Sequence, residues 1–378
     1  MPEQKIKKDD SLFTPFNIIA GMIVILGLYL TFLRYSKGLG VVGNHSNYYP
    51  WGLWIGLNLL GGVALAAGGY TTSAAVYIFG KKDYHFAVRP AILAAFIGYS
   101  IVLLALLYDL GRPLRLAYPF TVQHQPSSIL FEVSLCIALY LIVLFLEFSP
   151  AALEWLGLKA LRNLAVKLTV LLTILGVVLS TLHQSSLGAL FLIAPSKLHP
   201  LWYSPYLPYY FFISSLIAGF SIVLIDGAYS LEKTTLVLEF GKAASLVLAG
   251  YFFIKLLGLA GGDKIKYLLT PYGIWFLVEL FGFIALPCIF YAVGVGLKSI
   301  RIIRWTGVWT LLGIIINRLN VSLIAFNWHL PPSEKYSPSW MEIGISIFLI
   351  TAGIIAYRFI IRRMPIYDEH PDYPAELP

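Results

Sequence analysis

Uninterrupted apolar segments alternate with short polar ones along almost the whole chain. The segment 48–79 is the clearest, because its 32 residues include no charged side chain. A helix of about 20 apolar residues is long enough to cross the hydrocarbon core of a bilayer. The pattern therefore predicts an all-α, polytopic transmembrane bundle of ten spans, at 14–34, 51–79, 90–110, 127–148, 164–187, 208–230, 236–260, 272–297, 304–326 and 340–361.

The distribution of basic residues orients these spans. Of the 27 Lys and Arg residues, 16 lie on the side of the termini, eight lie on the other side and three lie within spans. Because basic residues concentrate in cytoplasmic loops, we expect both termini in the cytoplasm and the protein in the inner membrane. The predicted organisation is a cytoplasmic tail (1–13), a transmembrane domain (14–362) and a second cytoplasmic tail (363–378).

Composition agrees with a membrane location and narrows the chemistry. The chain is 58% hydrophobic and 12% charged, whereas soluble domains carry about 25% charged residues. We assign the net charge of +8 to contact with the membrane surface and lipids rather than to nucleic acid. Only two cysteines are present, without a CxxC motif, so we expect no iron–sulfur cluster held by this chain.

The loops on the outer side are longer than the cytoplasmic ones and rich in aromatic residues and proline. They are 35–50, 111–126, 188–207, 261–271 and 327–339. Tyr and Trp at these positions fit an interfacial belt. Such loops could form a docking surface for an extracytoplasmic partner, or they could simply connect helices.

Polar and ionisable residues concentrate in the outer third of the predicted spans. They are Asn58, Asp109, Glu132, His183, Gln184, Lys255, Glu279, Arg318 and Glu342. With a helical rise of about 1.5 Å per residue, His183 is expected within about 6 Å of the outer end of its span. Charges in hydrocarbon are costly, so they should face the bundle interior and pair. The layer predicts a functional pocket near the outer face; for any single residue, an interfacial position is the alternative.

The residues available restrict what such a pocket could bind. A haem held by two histidines needs both within spans, and only His183 among the seven histidines lies in one, so we expect no haem. We likewise expect no metal site, because one histidine with scattered carboxylates is a poor ligand set. A quinone fits better, since it needs an apolar slot, hydrogen bonds to its ring oxygens and groups that exchange protons near neutral pH.

Several motifs resemble the NrfD/PsrC superfamily, and most closely its ten-helix HybB type. They are PWGLWIGLNLLGGVALAAGGY (50–70), YDLGRPLR (108–115), FEVSLC (131–136), LHQSSLGAL (182–190), KLHPLW (197–202) and RLNVSLIAFN (318–327). The resemblance covers about residues 14–362. It implies a membrane subunit that is not catalytic alone and binds a quinone, often menaquinone, near the extracytoplasmic face. Its implied partners are a ferredoxin-like iron–sulfur subunit and further subunits of a hydrogenase or a Dsr-type sulfur-metabolism complex.

Carried onto this sequence, the resemblance and the polar layer predict two sets of site residues. The expected catalytic set is His183, Asp109, Glu132 and Glu279. The expected quinone-binding set is Trp51, Asn58, Arg112, Gln184, Lys255 and Arg318. Arg112 and Arg318 are expected to hold the carboxylates ionised. Asn58 departs from close relatives that can carry Asp there, and an amide cannot exchange a proton.

Two other classes remain open at this point. A secondary transporter would also have ten helices and intramembrane charges, although no internal repeat is evident and the charges are off-centre. A passive anchor would hold a redox partner without binding quinone.

Overall fold

The apolar segments form helices throughout the computed structural model, which describes residues 14–81, 85–225, 234–261 and 263–367. Ten helices in these ranges are long and apolar enough to cross a membrane, which confirms the predicted fold class. They are α1 (Pro15–Lys37), α2 (Trp54–Ile78), α3 (His85–Asp109), α4 (Ile129–Trp155), α5 (Lys159–Ile193), α6 (Leu207–Ile225), α7 (Val237–Ala260), α8 (Pro271–Gly296), α9 (Ile300–Ile324) and α10 (Trp340–Arg363). No β-strand forms in the described ranges, apart from one isolated bridge between Leu198 and Phe326.

Ten crossings place residues 14 and 367 on the same side of the membrane. We call this the terminal side and the opposite one the distal side. Residues 1–13 and 368–378, which make up most of the two predicted tails, lie outside the described residues. The cytoplasmic location of the termini stays a prediction.

Helix α5 is longer than the sequence predicted. It was expected to end at 187, but helical turns continue to Ile193 and stop at Ala194, which precedes Pro195. Proline disfavours helical geometry in the residue before it, so the first proline after the span sets the boundary. The distal end of α5 is therefore ten residues after His183, whereas the sequence predicted four.

Three helices contain π-helical turns, which are rare and frequently found at functional sites. These turns cover Trp54–Gly61 and Ala74–Ile78 in α2, Val278–Ala285 in α8 and Asn320–Ile324 in α9. Asn58, Glu279 and Asn320 all lie in such turns. The wider turns therefore set the orientation of three buried polar side chains.

Helices α2 and α6 form the centre of the bundle. Helix α6 packs against α2, α5, α7 and α9, and α2 is largely buried. Gly219 of α6 permits close approach to α2, because a Cβ there would lie 2.3 Å from Thr71 Oγ1. Small residues allow this kind of helix contact in membranes. Helices α1, α4, α5 and α10 expose large apolar side chains on the outside of the bundle, which suits a lipid environment.

The distal loops join into a common cap. His199 N donates to Ala325 O at 2.9 Å, and Asn327 N donates to Lys197 O at 2.6 Å. Tyr49, before α2, donates its hydroxyl to Phe326 O at 2.9 Å. Segments before α2, after α5 and after α9 are thus fixed to one another, which gives the distal face an ordered surface.

Buried charges tie three helices together near the terminal side. Glu154 of α4 accepts from Arg89 of α3 at 2.8 Å and 3.1 Å and from Arg162 of α5 at 3.0 Å. Glu154 and Arg162 are each 2% exposed. Arg89 also donates to Pro365 O, so the segment after α10 joins the same network.

We expect Glu154→Gln to lower the free energy of unfolding by about 3–5 kcal/mol, because the buried Arg162 and the partly buried Arg89 lose their carboxylate partner. Thermal unfolding of the purified protein in detergent measures this change. Asp263→Asn is the control, since the Asp263–Lys266 pair is exposed and 3.7 Å long. Equal melting temperatures for wild type and Glu154→Gln would contradict a stabilising role.

Candidate functional site

The predicted site residues do not line one pocket; they belong to separate groups at different places in the bundle. One group joins the distal ends of α3 and α10 to the loop before α2. A second lies deeper, between α3, α4 and α5. The third is enclosed by α6, α7, α8 and α9.

The first group, which we call the distal acidic group, consists of His45, Asp109, Tyr336 and Glu342. His45 Nε2 lies 3.2 Å from Asp109 Oδ1 and 3.9 Å from Glu342 Oε1. Tyr336 donates to Glu342 Oε1 at 2.5 Å and accepts from Leu53 N at 2.7 Å. Glu342 also completes a capping box with Ser339 at the start of α10. Two carboxylates and an imidazole therefore share a nearly buried space beneath the distal surface.

Local sequence explains how His45 reaches this position. A Cβ at Gly52 would lie 2.5 Å from His45 Nε2 and 2.9 Å from Glu342 Oε1, so only glycine leaves room for the contact. Burial, and then the adjacent Glu342 carboxylate, raise the pKa of Tyr336 above its usual range. Tyr336 therefore stays protonated and acts as a hydrogen-bond donor to Glu342.

Unused hydrogen-bonding capacity lies next to the distal acidic group. His45 Nδ1, Trp54 Nε1 and both amide atoms of Asn58 are buried and have no hydrogen-bond partner among the described residues. The His45 and Trp54 rings stack with centroids 5.8 Å apart. Buried polar groups are normally paired, so these atoms are candidates for contacts with a ligand.

An apolar cavity of about 290 Å³ begins at Asn58. Glycine and alanine residues of α2 and α3, between Gly62 and Gly69 and between Ala91 and Gly98, form half of its lining. Ile350 of α10, which is 46% exposed, also lines it, so the cavity reaches the membrane-facing surface of the bundle. It offers a narrow apolar slot with one amide at its distal end.

The second group centres on His183. Its Nδ1 donates to Leu179 O at 2.7 Å, and its Nε2 lies 2.5 Å from the Tyr99 hydroxyl. Because the carbonyl can only accept, Nδ1 carries the proton of a neutral His183, and Nε2 accepts a hydrogen bond from the Tyr99 hydroxyl. His183 is ten residues from the distal end of α5, or roughly 15 Å, rather than within 6 Å. The predicted distance of about 6 Å between His183 and the outer end of its helix was wrong, because α5 continues beyond 187.

Gln184 and Glu132 pair with neighbouring helices near this group. Gln184 donates to Val63 O of α2 at 2.9 Å, and Ser186 of α5 donates to Glu132 Oε1 of α4 at 2.7 Å. Both contacts link α5 to the rest of the bundle, and neither joins the distal acidic group.

The third group encloses Glu279. Lys255 Nζ lies 3.0 Å from Glu279 Oε1, and Asn317 Nδ2 donates to the same oxygen at 2.6 Å. The other oxygen accepts from Trp202 Nε1 at 2.8 Å and Asn320 Nδ2 at 2.6 Å. Four donors therefore satisfy a carboxylate that is 2% exposed.

Among the described residues, neither Arg112 nor Arg318 makes a direct contact with a carboxylate, and their predicted role in keeping carboxylates ionised stays a prediction. Arg318 donates to Asn317 Oδ1, Phe211 O and Ser214 Oγ, while Lys255 is the cation that contacts Glu279. Arg112 is exposed after α3, and His45 is the partner that the structure gives to Asp109. Arg318 instead lies over the Phe211 ring, 3.7 Å from its centroid.

Aromatic side chains cover the Glu279 group on the distal side. His199 stacks on Tyr272 with centroids 4.7 Å apart and lies edge-on to Trp328 and Trp202. Burial lowers the pKa of His199 to about 4, and its Nδ1 accepts from Leu201 N at 3.2 Å. His199 is therefore neutral and holds the turn that carries Trp202. Trp51 belongs to a neighbouring cluster, stacked on Phe326.

Sequence reasoning missed His45, Tyr336 and Tyr99 as members of these groups. His45 and Tyr336 lie in loops outside the predicted spans, where depth along a helix gives no information.

A ten-helix membrane bundle with buried acid–base groups beneath an ordered distal cap defines the class of protein. Residues 41–327 match the family described as "Polysulphide reductase, NrfD", and the chain belongs to this family. The predicted resemblance is thus confirmed.

The chain is also similar to three individual proteins along most of its length. It is 58% identical to a protein of Nitratidesulfovibrio vulgaris named only "Protein", over 98% of this chain and 99% of that one. It is 34% identical to the "Probable Ni/Fe-hydrogenase 2 b-type cytochrome subunit" of Escherichia coli, over 92% and 91%. It is 27% identical to the "Menaquinone reductase, integral membrane subunit" of N. vulgaris, over 91% and 89%. A multi-pass membrane protein related to subunits of redox enzymes is therefore established.

The name of the E. coli relative contradicts the expectation that this chain binds no haem, because a b-type cytochrome carries haem. The described histidines do not form a facing pair of axial ligands. Both ring nitrogens of His183 lie within hydrogen-bond distance of protein atoms. His85, the other histidine in a span, lies roughly 21 Å along α3 from Tyr99, the residue that contacts His183. We therefore derive no step through haem. Within the described residues, no group of three His, Cys, Asp or Glu side chains could hold a metal ion.

We expect Glu279→Gln to lower the free energy of unfolding by about 3–5 kcal/mol, because it leaves the Lys255 cation buried without its counterion. The double variant Lys255→Met/Glu279→Gln should recover part of this loss. Chemical unfolding in detergent micelles compares the variants. If the double variant lost more free energy of unfolding than the two single variants together, the Lys255–Glu279 pair would not be the cause of the destabilisation.

His199 should make stability depend on pH. Its pKa is about 4 in the folded protein, below the ordinary histidine value of about 6.5 that applies to the unfolded chain. The unfolded chain therefore binds more protons between these pH values. The free energy of unfolding should fall as the pH drops from 6.5 to 4, by up to about 3 kcal/mol. Thermal melts from pH 7.5 to 4.5 should show a shallower dependence for His199→Phe. Parallel curves for the two proteins would exclude His199 as the titrating group.

Proposed function

We propose that this chain is the quinone-reactive membrane subunit of a respiratory redox complex. It passes electrons between an extracytoplasmic iron–sulfur partner subunit and the quinone pool of the membrane. The name of the N. vulgaris relative supports menaquinone as the substrate. The partner belongs to a hydrogenase or a sulfur-metabolism complex, with its cluster above the distal cap.

One observation carries the proposal: unpartnered donors, an acid–base group and an apolar slot meet at the distal end of α2. Trp54 Nε1 and the Asn58 amide can donate to the quinone ring oxygens. The cavity that begins at Asn58 suits an isoprenoid tail, because its wall is almost wholly apolar. The Glu279 group lacks this combination, since all four of its strong contacts are internal.

The distal acidic group supplies proton exchange in this scheme. Conversion of quinone to quinol takes two electrons from the partner and two protons, and the reverse reaction releases them. His45 has one nitrogen beside Asp109 and the other unpartnered, so it can move a proton between the ring and the distal surface. Glu342, with Tyr336 fixed on it, provides a second carboxylate beside the imidazole.

The predicted role of His183 changes accordingly. Both of its nitrogens face protein atoms, and it lies deeper than the distal acidic group. We assign the exchange with quinone to His45 and Asp109, and we treat His183 as an internal proton-holding group. Glu132 and Glu279 are assigned to helix pairing.

We expect Asp109→Asn in the assembled complex to lower quinone-dependent turnover by about 10²-fold, since general acid–base groups contribute at least that much. His45→Gln should act alike, and Asp263→Asn, 93% exposed at the side chain, serves as the control. Electron transfer from the partner subunit to a soluble dye should stay unchanged in all variants. Wild-type quinone turnover in both Asp109→Asn and His45→Gln would defeat the assignment.

A further inference from the structure

Two transmembrane helices lie outside the part of the chain that matches the family. The match covers residues 41–327, whereas α1 ends at Lys37 and α10 begins at Trp340. The two helices pack closely, because a Cβ at Gly27 of α1 would overlap the Phe348 ring of α10. They also share a small apolar core with α2 and α3. Helices α1 and α10 therefore form an addition beside the distal end of α3.

Helix α1 carries a buried cation at this end of the bundle. Arg34 is 2% exposed and lies in the last turn of α1. Its Nε donates to Tyr108 O at 2.7 Å, and its Nη2 donates to Leu110 O at 2.7 Å. The last carbonyls of a helix carry partial negative charge and attract a cation. Arg34 therefore caps the distal end of α3.

The two carbonyls belong to the residues before and after Asp109, so Arg34 fixes the backbone on both sides of that carboxylate. Asp109 Oδ1 in turn lies 3.2 Å from His45 Nε2. The aspartate side chain is short, so a shift of the α3 end would move the carboxylate away from the imidazole. Asp109 is also the carboxylate whose charge acts on Arg34.

Charge balance gives Arg34 a second effect on the distal acidic group. Asp109 and Glu342 carry two negative charges when both are ionised, and Arg34 supplies one positive charge. The group is then neutral when His45 is protonated and has one negative charge when His45 is neutral. Without Arg34 the two carboxylates would repel each other more strongly, which favours binding of a proton to one of them.

We propose that Arg34 is a positioning residue of the quinone site, which holds Asp109 beside His45 and keeps the carboxylate pair ionised. Helices α1 and α10 then complete the site, because α1 supplies Arg34 and α10 supplies Glu342. The effect of Arg34 on turnover rests on the proposed function, whereas its effect on the charge of the group does not. The titratable groups that surround it are Tyr35 of α1, Tyr108 and Asp109 of α3, His45 and Tyr336 of the distal loops and Glu342 of α10.

The pH dependence of quinone turnover in the assembled complex tests the role of the charge. Arg34→Gln should move the acidic limb of the profile up by about one pH unit, because a carboxylate that loses a neighbouring cation binds a proton at higher pH. Arg34→Lys keeps the charge and should move the limb less.

Thr31→Val is the matched control for contact between α1 and α3. Thr31 lies one turn before Arg34, and its hydroxyl bonds to that of Tyr108 at 2.8 Å without any charge. This variant should keep the wild-type profile. An Arg34→Gln profile that coincides with that of wild type, or an equal displacement in Thr31→Val, would overturn the proposal.

The double variant Arg34→Gln/Glu342→Gln separates charge from packing. It removes one charge of each sign, and glutamine at 342 can still complete the capping box with Ser339. The acidic limb should therefore return towards its wild-type position, although maximal turnover falls. A limb that stays where Arg34→Gln places it would show that charge is not the cause and would overturn the proposal.

Infrared titration of the full chain in nanodiscs follows the carboxyl groups without a redox partner. The carbonyl band of a protonated carboxyl group should appear at higher pH in Arg34→Gln than in wild type, and Arg34→Gln/Asp109→Asn should remove this difference. Identical titrations of all three proteins would contradict the assignment. If the difference appears but the wild-type complex does not turn over quinone, the proposed function fails and the role of Arg34 stands.

Discussion

A charge inside hydrocarbon must be neutralised by a neighbour, and this requirement organises the bundle. Glu279 brings α7, α8 and α9 together with the loop that carries Trp202, because no single helix could supply four donors. Glu154 does the same for α3, α4 and α5 at the terminal side. An unpaired charge would cost several kcal/mol in either place. Each carboxylate thus joins the helices that supply its partners.

Function is better sought where pairing is incomplete. His45 Nδ1, Trp54 Nε1 and the Asn58 amide keep hydrogen-bonding capacity at the distal end. These atoms lie beside a carboxylate pair and an apolar slot. Their position is the reason for proposing quinone chemistry there.

Much of this arrangement could be predicted from the sequence, because apolar runs define transmembrane helices and intramembrane charges must be buried. The ten spans and the burial of Asp109, Glu279 and Arg318 followed from that rule. The ion pairs could not be predicted in the same way, since Lys255 rather than Arg318 contacts Glu279. The contact between His45 and Asp109 could not be predicted either, because His45 lies in a loop and its position does not follow from helix geometry. The distance from His183 to the end of its helix was underestimated. The segment after 187 was interpreted as an outer loop, whereas α5 continues through it to Ile193.

The central claim is that quinone binds at the distal end of α2, between Asn58 and His45. Photo-crosslinking with an azido-menaquinone analogue in the purified complex, followed by peptide mapping, tests it most directly. The account predicts labelling within residues 45–69 of α2 and its preceding loop, competed by unlabelled menaquinone. Competed labelling confined to α7, α8 and α9 would contradict it.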